Sequence, residues 1–442
     1  MTAQDDARAC ALRVLNACRA NGAWADAALS AELKRAVLNP QDAALASRIV
    51  YGVMQNRLLL DYRLSAFCTQ RLDHLQQPLP DILRLGAYQI LFLDKVPDSA
   101  AVNEAVKLAK ASGRAAASGL VNAVLRKLSG SKDRLPPITG GAIERLSIET
   151  SHPLWLVERM KKLLGEEEAR LFLLADNEIA PVTVQRNPLK TTHEHLLTEL
   201  AGEKIEAKPH PWAPDCYELF GTGDLSTLPA FFRGEFIVQD AAARLVSLAA
   251  EVKSGMRVLD VCAAPGGKSF SAAFAMVGEG KIVSCDLHEN KLKRIRDGAS
   301  RLSLDCIETC CADGRKFRGE WKDAFDVVLC DVPCSGLGII RKKPDVRYKD
   351  PTALSGLPEV QSAILANASG YVKPGGVLIY STCTILPEEN ESVTDAFIRS
   401  HPEFHYQHFD FPGHSAPGYI TLWPHRDCTD GFYVAKLRRN IC

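Results

Sequence analysis

The sequence predicts a multidomain chain: an all-α helical bundle in front, a small α+β connector, and a C-terminal α/β domain of the Rossmann-like, doubly wound kind. Three observations carry this. Apolar residues recur at helical spacing through the first 130 residues. A Gly/Ser/Pro-rich stretch, residues 129–141, then interrupts the pattern as a linker. From Gln239 onward, apolar strand-like runs alternate with helical segments. The expected domains are 1–135, 142–235 and 236–442.

In the front domain, Leu12, Val14, Leu15 and Cys18 lie on one helical face, as do Ile49 and Val53. The run from Leu83 to Leu93 reads as a strongly apolar helix stopped before Pro97, and Ser99 can cap the next. Val121, Val124, Leu125 and Leu128 close the last helix. These stripes are read as bundle packing. In the connector, Val182–Arg186 reads as a strand and 192–200 as a helix, with a loop at Pro209, Pro211 and Pro214. In the last domain, strands are expected at 257–261, 281–286, 307–313, 325–331 and 377–383. A long helix near 352–372 precedes the fifth, and late strands follow at 419–423 and 432–437. Such alternation predicts a parallel sheet with ligands beyond the carboxyl ends of its strands.

The 442 residues are 46% hydrophobic, enough for large cores. No run approaches a membrane span, and the acidic start is unlike a signal peptide, so a soluble cytoplasmic protein without membrane partners is expected. The 53 basic residues balance 53 acidic ones. Residues 1–140, however, hold 18 basic against 12 acidic, a small excess that fits a nucleic-acid-facing surface. Fourteen cysteines without regular spacing are read as reduced thiols, and with no CxxC pair a metal site is not expected. His401, His405, His408 and His414 are read as solvated loop residues.

The loop Cys262-Ala263-Ala264-Pro265-Gly266-Gly267-Lys268 follows the first strand of the last domain. Its small residues let the backbone approach a ligand. It is neither GxGxxG nor GxxxxGK[ST], which disfavours a dinucleotide and an ATPase. Asp286 ends the second strand, where an acid can hold ribose hydroxyls. Asp313 ends the third and could accept from an adenine amino group. Asp331 ends the fourth. A cofactor with ribose and adenine but no phosphate fits this set, and S-adenosylmethionine meets that description.

Two cysteines, Cys334 and Cys383, stand just past the fourth and fifth strands, in Asp331-Val-Pro-Cys-Ser-Gly336 and Ser381-Thr-Cys-Thr384. Two thiols beside a cofactor suggest covalent chemistry in which one attacks and the other assists release. Methylation of C5 of cytosine needs this, because a thiolate added to C6 makes C5 enamine-like. A base must then remove the C5 proton so that the thiolate can leave. Cys383, Cys334 and Asp331 could fill the roles of nucleophile, release group and support for the base edge. Spacing alone does not rank the two cysteines. Lys268 is a candidate for lowering the nucleophile's pKa.

These segments resemble the Sun-type RNA cytosine-5 methyltransferases. The carrying residues are Val258 to Ser269, Asp331 to Gly338, Tyr380 to Asn390 and Asp430 to Lys436. The resemblance implies a class I methyltransferase domain using S-adenosylmethionine, with Cys383 as the attacking thiol and Cys334 as the release cysteine. The helical front is similar to the RNA-binding antitermination factor NusB. Ser151-His-Pro-Leu-Trp155 and Gln185-Arg-Asn-Pro188 fit the middle region of the family branch acting on the bacterial small-subunit RNA. That branch implies 5-methylcytosine in 16S rRNA, free or in an early subunit particle, as the product, made by a monomer. Val332 stands where the family usually has alanine, and Gln239-Asp-Ala-Ala-Ala243 lacks the serines often found there, which leaves its role open. The basic run Arg341 to Arg347 is read either as facing RNA or as a solvated loop. Two other functions stay open: the same reaction on transfer RNA, and a non-catalytic RNA-binding ribosome assembly factor.

Overall fold

A computed structural model describes residues 6–441. The chain forms two compact units. One comprises the residues up to Glu178 together with Ile340–Lys349, and the other Ile179–Ile339 with the residues from Asp350 onward. The boundary at 178 falls inside the segment 142–235 that the sequence marks as the connector.

The first unit is all helical. Its main helices are Ala7–Asn21, Ala25–Ala36, Pro40–Gln55, Arg57–Ser65, Leu79–Phe92, Asp98–Ala111 and Ser118–Gly130. Three more follow at Ala142–Thr150, Leu154–Leu164 and Glu166–Ala175. The local signals explain the starts. Asp6 caps the first helix by accepting from the Arg8 and Ala9 amides, and Asn39 caps the third ahead of Pro40. The stripes seen in the sequence bury together: Leu12, Leu15, Ile49, Val53, Leu83, Val121 and Leu125 share one core. The linker is not loose, since Tyr62 donates to the Pro137 carbonyl at 3.0 Å.

The ten residues Ile340–Lys349 belong to this unit, and Arg347 is fully buried in it. Its guanidinium donates to the carbonyls of Gln55 (3.1 Å), Thr150 (3.3 Å) and Ser151 (3.2 Å) and to Asn177 Oδ1 (3.0 Å). The basic run was read as facing RNA or as a solvated loop. At Arg347 it is neither, because backbone carbonyls take up the charge.

The second unit opens with strands β1 (Val182–Arg186), β2 (Glu206–Pro209), β3 (Cys216–Phe220) and β4 (Phe236–Val238), all antiparallel in the order β2-β3-β1-β4. The helix His193–Gly202, capped by Thr192, packs Leu196 and Leu200 on Val184, Tyr217 and Leu219. The large sheet follows: β5 (Arg257–Asp260), β6 (Lys281–Asp286), β7 (Ile307–Cys311), β8 (Phe325–Asp331) and β9 (Val372–Thr382), then β10 (Phe404–Tyr406), the small hairpin β11 (Phe409–Phe411) and β12 (His414–Ala416), β13 (Tyr419–Leu422) and β14 (Phe432–Arg439). Its order is β10-β14-β9-β8-β5-β6-β7, with β13 also on β14.

The strands β9-β8-β5-β6-β7 are parallel, as expected. The far edge differs: β14 runs antiparallel to β9, and β10 and β13 antiparallel to β14. The sheet is therefore mixed. A parallel β14 would need a full crossover after β13, whereas the nine residues from Trp423 to Gly431 only turn the chain back. The near-continuous apolar runs of β8 and β9 match strands covered on both faces.

Candidate active site

The chain order of the strands creates the site. From β5 the chain moves outward to β6 and β7, then crosses back to β8 on the other side of β5. The crevice at that reversal lies at the carboxyl ends of β5 and β8. The glycine loop leaves β5 there. Asp286 and Asp313 lie to one side, past β6 and β7. Asp331, Cys334 and Cys383 lie to the other, past β8 and β9. The sheet register sets Asp331 directly opposite Ser381, two residues before Cys383.

Cys334 and Cys383 meet, with their sulfurs 3.2 Å apart and both side chains partly exposed. The 13 described cysteines are all free thiols. The two thiols are within hydrogen-bond reach, and either sulfur can donate. That hydrogen bond is the main reason the Cys383 thiol falls below its ordinary pKa; burial and Asp331 oppose the shift, and Lys268 assists it. The same hydrogen bond pushes Cys334 well above its ordinary value, helped by burial and by the charges on Cys383, Glu389 and Asp331. With Cys334 as the donor, these influences favour ionisation of Cys383 over Cys334.

Lys268 stands on the first turn of the helix Gly267–Ala275. Its Nζ is 2.7 Å from Asp331 Oδ2 and 5.2 Å above the Phe432 ring, and Ser381 Oγ donates to Asp331 Oδ1 at 2.9 Å. Burial works against the ammonium, but Asp331 more than compensates and raises its pKa. Asp331 is therefore held by two donors and still presents an edge at the crevice.

The glycine loop is fixed by backbone bonds. Ala263 N donates to Cys285 O at 2.7 Å and Gly266 N to Ala263 O at 2.7 Å. Gly266 has φ +112°, and a Cβ there would lie 2.5 Å from the Phe270 ring. Cys262 is half-buried near Asp260, Asp331 and Asp286, and its thiol is pushed up, chiefly by desolvation. Asp286 Oδ1 accepts from the His288 amide at 3.0 Å, with Lys291 Nζ at 3.6 Å. Asp313 is gripped by Arg315, each carboxyl oxygen 2.9 Å from a guanidinium nitrogen, which holds it down at about 2. The structure thus places Cys262, Ala263, Ala264, Pro265, Gly266, Gly267 and Lys268 between the acid pair and the thiol pair.

Sequence reasoning missed several residues. Asp260 is fully buried under the loop, accepts from Ser269 Oγ at 2.7 Å, and is raised to about 7 by burial. Its place one residue before the end of the apolar run Val258–Val261 was the available signal. Gln361 and Glu389 lie buried behind the thiols; Glu389 sits inside Pro387-Glu-Glu-Asn390, while nothing in the sequence marked Gln361. Gly338 is a further one. Its amide donates to Cys383 O at 3.0 Å and its carbonyl accepts from Gly431 N at 2.7 Å. A Cβ on it would lie 1.9 Å from Gly431 O.

Comparison with known proteins agrees with this arrangement. Residues 247–438 match the family described as 16S rRNA methyltransferase RsmB/F. Residues 5–130 match the NusB family, and 152–225 the ferredoxin-like domain of RsmF/B-like methyltransferases. The chain is 36% identical to the probable ribosomal RNA small subunit methyltransferase B of Bacillus subtilis, over 97% of this chain and 98% of that one. It is 33% identical to the ribosomal RNA small subunit methyltransferase B of Sodalis glossinidius, over 91% of each. A methyltransferase homologue from Pyrococcus horikoshii, solved by crystallography, superposes with a TM-score of 0.59 at 26% identity, covering 68% of this chain and all of that one. With full-length identity at this level, a NusB-like front, a ferredoxin-like connector and a methyltransferase domain, the chain belongs to the RsmB/F family of RNA methyltransferases.

Proposed function

We propose that the protein transfers a methyl group from S-adenosylmethionine to C5 of a cytosine in 16S rRNA, through a covalent bond between Cys383 and C6. The observation that carries this is the pair of thiols, 3.2 Å apart, beside the Lys268–Asp331 ion pair at the reversal of the sheet. The residues around the glycine loop fit the cofactor. The loop's alanines and glycines keep its backbone open to close approach, and Asp286 and Asp313 stand where ribose hydroxyls and an adenine amine would be held. When bound, S-adenosylmethionine supplies an electrophilic methyl group on a sulfonium.

The Cys383 thiolate adds to C6, and the displaced electron pair makes C5 nucleophilic toward that methyl. Asp331 accepts from the exocyclic amine or a protonated N3 of the base, with Lys268 holding its other carboxyl oxygen in place. Once Cys383 is bonded to carbon, Cys334 no longer has a thiolate to donate to. It releases its proton to solvent and then takes the C5 hydrogen. The C5–C6 double bond reforms as the C6–S bond breaks, returning the electron pair to Cys383. The target cytosine must be unpaired or extruded to reach a crevice of this kind.

The test is methylation of 16S rRNA from cells lacking this gene, read by bisulfite sequencing. The wild-type chain is expected to restore one 5-methylcytosine. Cys383→Ser is expected to restore none, and Cys334→Ala to accumulate a denaturant-resistant protein–RNA adduct. Activity retained in Cys383→Ser would overturn the covalent route, and methylation of transfer RNA instead would change the substrate.

A further inference from the structure

Behind the two thiols lies a buried polar cluster for which the mechanism above has no use. At its centre is Glu389, 1% exposed. Burying a carboxyl group is costly unless its oxygens are well occupied. Here they accept from neutral donors: the Ser335 amide at 2.9 Å and the Gln361 side-chain amide at 2.8 Å on Oε2, and the Thr384 hydroxyl at 3.4 Å on Oε1. Gln361, from the helix Leu357–Ser369, also donates to the Pro333 carbonyl at 3.0 Å. The Ser335 and Thr384 hydroxyls are 2.6 Å apart. The Tyr380 hydroxyl donates to the Glu389 carbonyl at 2.5 Å, which pins the acid's own backbone to β9.

The partners are not scattered. Pro333 and Ser335 flank Cys334, and Thr384 follows Cys383. One carboxyl group thus holds both cysteine loops, each at a residue adjacent to its thiol. The loops leave neighbouring strands, yet strand pairing ends at Asp331 and Ser381. Beyond that point the loops also meet directly through Val332 N to Ser381 O, Gly338 N to Cys383 O, and the Ser335–Thr384 hydroxyl contact. An apolar side chain at 389 would fill the space but could not join donors from two loops and a helix. The charge also acts in one direction, since Glu389 is among the groups that keep Cys334 protonated and is not among the main influences on Cys383.

We propose that Glu389 is a positioning residue, with Gln361 as its auxiliary, that sets the spacing of Cys334 and Cys383 and so governs release of the methylated base. The release part rests on the covalent reading above; the spacing part does not. Both side chains are buried from solvent.

The experiment uses the full chain with Glu389→Gln, and with Gln361→Met as a second variant should the first not fold. Folding is checked by affinity for S-adenosylhomocysteine, expected within about twofold of wild type, because the cofactor side is untouched. The spacing is read without activity, by peptide-resolved mass spectrometry of Cys334–Cys383 disulfide formation under diamide, which takes one hydrogen from each thiol. Both variants are expected to slow this cross-link by roughly tenfold, as the removal of one or two hydrogen bonds would. On 16S rRNA, kcat is expected to fall while the KM for each substrate stays within about twofold, and adduct is expected to accumulate as in Cys334→Ala. Adding Cys334→Ala to Glu389→Gln should then cost nothing further, since both act on the same step. An unchanged cross-linking rate in a folded variant would overturn the proposal, as would a loss additive with Cys334→Ala. Should Cys383→Ser prove active while the cross-link still slows, the covalent route falls and the spacing role stands.

Discussion

Removing the Cys334 thiol should raise the pKa of Cys383 by about one unit in the free enzyme. The perturbation is Cys334→Ala, which deletes the donor 3.2 Å from the Cys383 sulfur and puts no other donor in its place. A hydrogen bond to a charged group is worth about 1.5–3 kcal/mol, and a thiol is a weak donor, so the lower end applies. Both sulfurs are also partly open to water, which compensates some of the loss. With 1.36 kcal/mol per pKa unit, about 1.5 kcal/mol corresponds to roughly one unit. The sign follows from the donor's role: the bond favours the ionised form of Cys383, so its loss favours the neutral thiol. Lys268 remains and keeps part of the depression. The assay is the pH dependence of iodoacetamide labelling at Cys383, resolved by peptide mass spectrometry because the chain has 14 cysteines. In wild type the labelling rate should rise below the ordinary thiol range, and in Cys334→Ala the whole curve should move to higher pH. A curve that stays in place would mean that Lys268 alone sets the thiolate. A move to lower pH would refute the assignment of donor and acceptor, making Cys383 the donor and Cys334 the nucleophile.

Three further outcomes follow from single positions. Arg347→Met removes the guanidinium that donates to the carbonyls of Gln55, Thr150 and Ser151, although Thr150 keeps Asn177 and Ser151 keeps Tyr348 as donors. A local loss of about 3 kcal/mol is expected, read as a roughly hundredfold faster amide exchange in peptides covering 340–349 and 145–155; unchanged protection would show that the loop is held by other contacts. Asp260 is raised from 3.8 to about 7, so the folded state binds the extra proton between those values and stability should fall as pH rises through that window. Asp260→Asn should flatten this slope in denaturation measured from pH 4 to 8, and a slope that persists would assign it to another group. Gly338→Ala places a Cβ 1.9 Å from a backbone oxygen that has nowhere to go, so it should abolish methylation even where the protein still folds. Methylation at more than about a tenth of the wild-type rate would show that the two loops can separate.

The elements that were legible in the sequence share a physical cause: each is specified by a short-range pattern. The apolar runs of β5, β6 and β8 had to be buried on both faces, the glycine loop had to turn from a strand into a helix, and acids at strand ends had to face a crevice in any doubly wound sheet. The stripe through Leu83 to Leu93 had only one way to bury itself. What stayed hidden depends on which distant residues meet. Arg347 looked like part of a charged surface because its backbone-carbonyl partners, Gln55, Thr150 and Ser151, lie 196 to 292 residues away and carry no side-chain signature. The antiparallel edge formed by β14 was hidden for a similar reason, since strand direction in a sheet is set by how the connections close. The thiol pair lies between these cases. Each cysteine was marked by its own loop, but which one is the thiolate depends on a hydrogen bond between them and on Lys268 arriving from a third strand's loop. The chemistry is therefore encoded twice, once in motifs that name the reacting atoms and once in buried polar groups, Glu389 and Gln361 among them, that set the distances between those atoms. Only the first code is local.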